Sequence, residues 1–196
     1  VEFNTYLNYR FNPKASLYAN YRVSNRPPEV EQLQPFQDVS DPLNIITGNP
    51  NLEPANEHQL YAGYNAFDFQ KGTGFGFWSN ANFTQNQVVP QTTVDENLVR
   101  TTTYTNVDGN YYFYGSGNYS KKVKLDTIRD VKFRAAASVS TNRNINFNNG
   151  VEYAANSTTY SPDVRITFTW KKLFEFIPNY RVSFTNTTYD LASFDD

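Results

Sequence analysis

Apolar and polar positions alternate along most of this chain with a period of two, interrupted at intervals by short turn-forming runs. In Val1–Phe11 the residues Val1, Phe3, Thr5, Leu7, Tyr9 and Phe11 fall on one face, and Glu2, Asn4, Tyr6, Asn8 and Arg10 fall on the other. Such alternation predicts a strand with one apolar and one polar face. Asn12-Pro13-Lys14 reads as a tight turn, and Ser16–Ser24 runs back with the same alternation, giving a hairpin. Glu57–Phe67 and Gly74–Thr84 form a second hairpin around the turn at Asp68–Gly74, and Val107–Tyr119, Val131–Ser140, Val164–Trp170 and Phe176–Thr185 continue the series. About eight strands result, with no helical period between them. The fold class expected is all-β, with antiparallel strands of ~9–11 residues.

The stretch Asn25–Asn56 departs from this pattern. Pro27, Pro28, Pro35, Pro42, Pro50 and Pro54 remove backbone donors and fix φ, which predicts an irregular loop. Loops of this length inside an ordered chain are usually functional or disordered. Val30, Leu33, Phe36, Val39, Leu43, Ile45, Ile46 and Leu52 supply apolar anchors, which favours a packed loop capping one end of a large β-structure. Its Arg26, Phe36, Asp38, Asp41, Asn49 and Asn51 are the candidate ligand- or partner-binding residues.

The run SNRPPEVEQLQPF, followed by DPLNIITGNPNLEPANEHQLYAGY, resembles the C-terminal barrel of outer-membrane β-barrel proteins related to TonB-dependent receptors. RTTTYTNVDGNYYFYGSGNYS and FNNGVEYAANSTTYSPDVRITFTW resemble that family as well, so the likeness covers most of the chain. It implies a multi-pass barrel in a bacterial outer membrane, a ligand taken up from outside, a plug domain and a TonB-type energising system. No segment of residues 1–196 reads as the plug, so the chain is expected to be a partial barrel domain, an arc of a larger barrel with residues 25–56 as an extracellular loop.

Composition narrows the function classes. The net charge of -2 gives no basic footprint for nucleic acid. Without cysteine there is no disulfide framework and no thiolate chemistry. The chain opens on a strand, without Met and without a signal-peptide pattern, as expected for a piece of a longer protein. No run approaches the ~18–20 apolar residues that a membrane-crossing helix requires, and a mean hydropathy of -0.64 is compatible with a barrel, where only alternate residues face lipid.

Two regularities favour a membrane barrel over a soluble sandwich. Connections are short at residues 12–15, 68–73 and 171–173, moderate at 121–130, and long at 25–56, 85–104 and 145–160. Short turns on one rim and long loops on the other match periplasmic turns and extracellular loops. The aromatics Tyr9, Phe11, Phe67, Phe69, Phe75, Phe77, Tyr119, Phe133, Trp170, Phe174 and Phe176 also gather beside the short turns, as an interfacial girdle requires.

On the polar face, Arg10, Arg22, Arg134, Arg165 and Arg181, with Glu2 and Lys132, are expected to point into the lumen, because Arg or Lys facing mid-bilayer hydrocarbon costs ~2–4 kcal/mol. His58, the one histidine, lacks any nucleophile motif beside it and reads as a strand-end polar residue. Asp38, Asp41 and Glu53 supply hard oxygen ligands but lack calcium-loop spacing, so no metal, cofactor or catalytic residue is assigned. The partners expected are outer-membrane lipid, a plug with its energising system, and a surface lipoprotein or secretion complex. The functional expectation is a receptor-like transporter; the alternatives are a docking barrel without transport and a soluble all-β carbohydrate-binding domain.

Overall fold

The computed structural model describes residues 2–191; Val1 of the first alternating face and the side chain of the loop anchor Val39 lie outside the described residues. The strands are β1 (Phe3–Asn12), β2 (Ala15–Arg26), β3 (Gln37–Asp41), β4 (Asn44–Thr47), β5 (Ala55–Asp68), β6 (Thr73–Gln85) and β7 (Gln87–Val94). They continue as β8 (Arg100–Val107), β9 (Asn110–Lys124), β10 (Arg129–Asn148), β11 (Val151–Trp170), β12 (Phe174–Phe176), β13 (Asn179–Arg181) and β14 (Phe184–Leu191). A one-turn helix, α1 (Val30–Leu33), stands between β2 and β3.

The main sheet is an antiparallel meander in the order β1-β2-β5-β6-β9-β10-β11-β12, with β13 and β14 continuing the last strand along β11. The expected eight strands are therefore present as eight staves. Prolines break the last one. A residue's N–H and C=O point to the same neighbouring strand, and the Pro162 carbonyl accepts from Val182 at 3.2 Å, so the missing Pro162 N–H opens the ladder between β13 and β14. Pro178 removes a donor between β12 and β13 in the same way. Pro162 is tolerated in a central strand because its other side, toward β10, needs no donor from it.

Register sorts the side chains. The row Leu7, Ala19, Ala62, Ser79, Gly115, Val139 and Tyr160 lies on one face. The adjoining row on the other face is Tyr6, Asn20, Tyr61, Asn80, Tyr114, Ser140 and Thr159. Between the aromatic margins the large side chains of the apolar face stay half-exposed, Phe75 and Phe77 at 41% and Val164 at 53% among them; among the described residues, the element that packs on this face does so beyond that span, where Val89 and Val107 meet Ile145 and Ala154. On the polar face the Tyr18 ring fills the space over Gly63, where a Cβ would collide with it.

The aromatic expectation holds with two corrections. Tyr9, Phe75, Phe77, Tyr119, Phe133, Trp170, Phe174 and Phe176 share the apolar face near the short turns, and a register shift between Arg10 and Asn12 brings the Phe11 ring 4.8 Å from Tyr9 and 6.0 Å from Tyr64. Phe67 instead sits on the polar face across from Gly74, and Phe69 is 93% exposed in the turn. Phe3, Tyr21, Phe83 and Tyr111 form a second aromatic margin at the other end of the same face. Phe75 and Phe83 lie eight residues apart on β6. At ~3.3 Å per residue and ~40° of tilt that separation is about 20 Å, comparable with the ~25 Å apolar band of outer-membrane barrels.

Short turns at residues 13–14, 69–72, 125–128 and 171–173 occupy one rim. The other rim differs from expectation in three places. The stretch 25–56 is not wholly irregular: β2 runs to Arg26, Pro27-Pro28 lead into α1, Pro35 follows it, and Pro42 occupies the turn of the β3–β4 hairpin, where a fixed φ is favourable. Residues 85–104 form the β7–β8 hairpin. Residues 145–160 are not a loop; β10 and β11 pair continuously from Arg129↔Trp170 to Asn148↔Val151, closing on Asn149 and Gly150, both with positive φ. Burial overrides the weak strand propensity of the asparagines: Ile145 and Ala154 join Val89 and Val107 in a buried cluster, with Phe147 packed against it.

These projecting pieces make a second sheet, in the order β3-β4-β8-β7, in which β4 and β8 pair in parallel. The rim thus carries a folded superstructure with its own small core.

Candidate functional site

The polar face is organised in tiers. In the half toward the short turns, Arg10, Asn65, Asn118, Asp163 and Arg181 fall in one row, with Arg134 and Arg165 paired in the row nearer the turns. Further up, the row Arg22, Gln59, Asn82, Tyr112, Asn142 and Ser157 is uncharged apart from Arg22. All five arginines assigned from the sequence therefore share the polar face.

Asp163 brings two of them together. Its side chain is 3% exposed, with Arg181 Nε at 3.7 Å and Arg134 Nη1 at 3.9 Å. Among the described residues, neither carboxylate oxygen has a hydrogen-bond partner, nor does Arg165 Nε. Around it Trp78 stacks on Tyr114 at 4.4 Å, and Ser161 bonds Ser183 across strands at 2.8 Å, lining a pocket of about 290 Å³. Removing both cations by Arg134→Leu and Arg181→Leu strands a buried carboxylate. The penalty for breaking a fully buried pair is ~3–5 kcal/mol, reduced here to about 1–2 kcal/mol because both arginines are partly solvated. The expected result is a lower urea midpoint for the double variant, recovered when Asp163→Asn is added; an unchanged midpoint would show the cluster to be electrostatically idle. Asp163 was not singled out from the sequence, although its place two residues before Arg165 put an opposite charge on the same face.

At the opposite rim, a groove of about 400 Å³ is lined by Asn82, Thr84, Gln87, Asn110, Tyr112, Asn142 and Asn144. A second pocket of about 300 Å³ shares Asn82, Thr84 and Gln87 with it and extends to Arg26, Glu57 and α1. Asn110 anchors the junction: its Oδ1 accepts from Ile145 N at 2.6 Å, and its Nδ2 donates to Gln87 Oε1 at 2.7 Å. As β9 ends there, this side chain continues the ladder where backbone stops.

The six loop residues assigned from the sequence are dispersed. Arg26 lies beside Glu57 at 3.8 Å. Phe36 is 79% exposed. Asp38 accepts from the Ser40 hydroxyl and backbone N–H, Asp41 from the Asn44 amide and Leu43 N–H, and these bonds hold both carboxyls below the usual carboxylate range. Both are thus engaged in shaping the β3–β4 hairpin. Asn49 donates to the Tyr104 carbonyl at 2.9 Å and its backbone N–H bonds the Gln32 carbonyl at 2.6 Å; its Oδ1 accepts from Asn51 N. Asn106, which the sequence did not flag, donates to the Glu53 and Asn86 carbonyls and accepts from Glu53 N. The GNPNLEP segment is a clasp that fastens the loop to β8. His58 hydrogen-bonds the Tyr21 hydroxyl at 2.8 Å in the outer aromatic margin, a strand-end polar role.

An antiparallel meander with an apolar, half-exposed outer face, aromatic margins at both ends, and all its superstructure on one rim is the wall of a transmembrane β-barrel. The chain belongs to the outer membrane protein beta-barrel family, whose model matches residues 4–194, and its place is the bacterial outer membrane. Among solved structures, the siderophore receptor PirA from Pseudomonas aeruginosa is similar, at 14% identity and a TM-score of 0.49 over 94% of this chain. The chain spans 41% of that structure's length. No curated protein matches the sequence.

Proposed function

We propose that this chain is part of the wall of a receptor-like outer-membrane transporter of the TonB-dependent type, which captures a ligand outside the cell and imports it. The observation that carries the reading is the asymmetry of the rims. One rim bears only short turns, while the other holds α1, the β3-β4-β8-β7 sheet and the projecting ends of β10 and β11, clasped in place by Asn49 and Asn106. A fixed structure at the mouth suits ligand capture, because positioning groups before binding reduces the ordering cost.

On this reading the polar face with Arg10, Arg22, Arg134, Arg165 and Arg181 looks into the lumen and meets a plug domain there. The energy comes from a TonB-type system, and the role is transport or binding without a catalytic step. The test is uptake by cells carrying the complete protein, before and after collapse of the proton gradient. Energy-dependent accumulation that is lost on deletion of residues 30–52 is expected; uptake indifferent to the gradient would sink the proposal.

The docking alternative has one observation of its own. Leu43 and Leu98, where the Arg100 N–H bonds the Leu43 carbonyl at 2.8 Å, are 57% and 77% exposed on the superstructure. A surface lipoprotein or secretion component seated there would cover them.

A further inference from the structure

The groove at the mouth has a specific chemistry. Its wall is built from the side-chain amides of Asn82, Gln87, Asn110, Asn142 and Asn144 with the Tyr112 phenol, none of them charged at neutral pH. In the adjoining pocket Arg26 stands 3.8 Å from Glu57, and Glu29 lines the same pocket, so its one cation is outweighed by two carboxylates. Asn110 is locked by bonds from Ile145 and to Gln87, which fixes the wall, while the buried Asn82 Oδ1 has no hydrogen-bond partner among the described residues. The Tyr112 ring, in register between Asn82 and Asn142, is 41% exposed and open to stacking.

Amides present donors and acceptors side by side at fixed spacing, and sugar hydroxyls do the same. Anionic ligands are instead held by Arg or Lys, frequently through paired charge-assisted bonds. On this chain the polar face keeps most of its cations at the far end, around Arg134, Arg165 and Arg181.

We infer that this groove selects the ligand and takes a neutral, hydroxyl-rich molecule, an oligosaccharide, in preference to a carboxylate, phosphate or charged metal chelate; the inference rests on the receptor reading above. Asn82 Oδ1 accepts a ligand hydroxyl, and the Tyr112 ring packs against the apolar face of a sugar ring. A site whose buried polar groups require hydroxyl partners discriminates strongly against ligands lacking them.

The experiment uses the complete protein in detergent on an array of neutral and acidic oligosaccharides, with a ferric tris-catecholate measured alongside. The strongest neutral ligand is then titrated calorimetrically against the wild type, Asn82→Ala and Tyr112→Ala, each variant first shown to keep the wild-type urea midpoint. Binding of a neutral oligosaccharide that each variant weakens about tenfold or more is expected. Where a variant shifts the midpoint, Gln87→Glu replaces it. Binding confined to acidic glycans or to the ferric chelate, no binding on the array, or neutral binding indifferent to the variants would overturn the inference. Those results leave the receptor reading intact, since that fails separately if accumulation of the ligand survives collapse of the proton gradient.

Discussion

Ala62→Arg is expected to destabilise the barrel in lipid by about 2–4 kcal/mol, whereas Tyr61→Arg, one residue earlier on β5, leaves it assembled. The two positions differ only in face. Ala62 shares the apolar row with Leu7, Ala19, Ser79, Gly115 and Val139, midway between the aromatic margins at Phe75 and Phe83. A guanidinium there faces hydrocarbon, with a stem on a β-strand too short to reach the headgroups. Tyr61 lies between Asn20 and Asn80 on the polar face, where an added cation meets amides and hydroxyls. Folding of the complete protein into phosphatidylcholine vesicles, followed by urea titration, measures both. Equal midpoints for the two variants would mean that the apolar face is not the lipid face.

Gly48→Ala should unfasten the superstructure of the long-loop rim while leaving the staves intact. Gly48 is buried against the end of α1. A Cβ there would fall onto the Gln34 carbonyl oxygen and lie 2.7 Å from Gln34 N and 2.8 Å from the Gln32 carbonyl oxygen, all backbone atoms without a rotamer to swing away. The next residue, Asn49, makes the bonds to Gln32 and Tyr104, so the clash and the clasp occupy the same point. Overpacking costs ~1–3 kcal/mol where side chains can yield, and backbone cannot, so about 3 kcal/mol is expected against docking of the loop. That corresponds to roughly a hundredfold rise in loop opening. Limited proteolysis should cut within residues 30–52 while the barrel core survives; resistance equal to the wild type would show that the loop is held elsewhere. Asn49→Ala, which removes side-chain bonds without adding bulk, should have a smaller effect of about 1–2 kcal/mol by the same assay.

The staves and their two faces were legible because a half-buried strand imposes a period of two on its own residues, which needs no knowledge of its partners. Likewise Asn12-Pro13-Lys14 and Lys171-Lys172 announced the short rim through local turn chemistry. The candidate site was less legible. Arg10, Arg22, Arg134, Arg165 and Arg181 fall on one face by alternation alone, but that Asp163 stands between Arg134 and Arg181 depends on the alignment of three staves. Asn82, Tyr112 and Asn142 are neighbours only through cross-strand register, at separations no local pattern encodes.

Residues 145–160 show where local reading gave way. Asn142, Asn144, Asn146, Asn148 and Asn149 argue for a loop by propensity, yet Ile145 is 3% exposed in a cluster completed by Val89 and Val107 from a distant hairpin. The parallel pairing of β4 with β8 is of the same kind: each strand is short, and its partner lies far along the chain. By itself the sequence determined the all-β class, the lipid and polar faces and the long-loop rim, because these follow from alternation and turn residues. The tertiary structure decided which polar residues meet, how the GNPNLEP segment fastens the mouth, and that the rim folds at all, because these depend on burial and hydrogen bonds between residues remote in sequence.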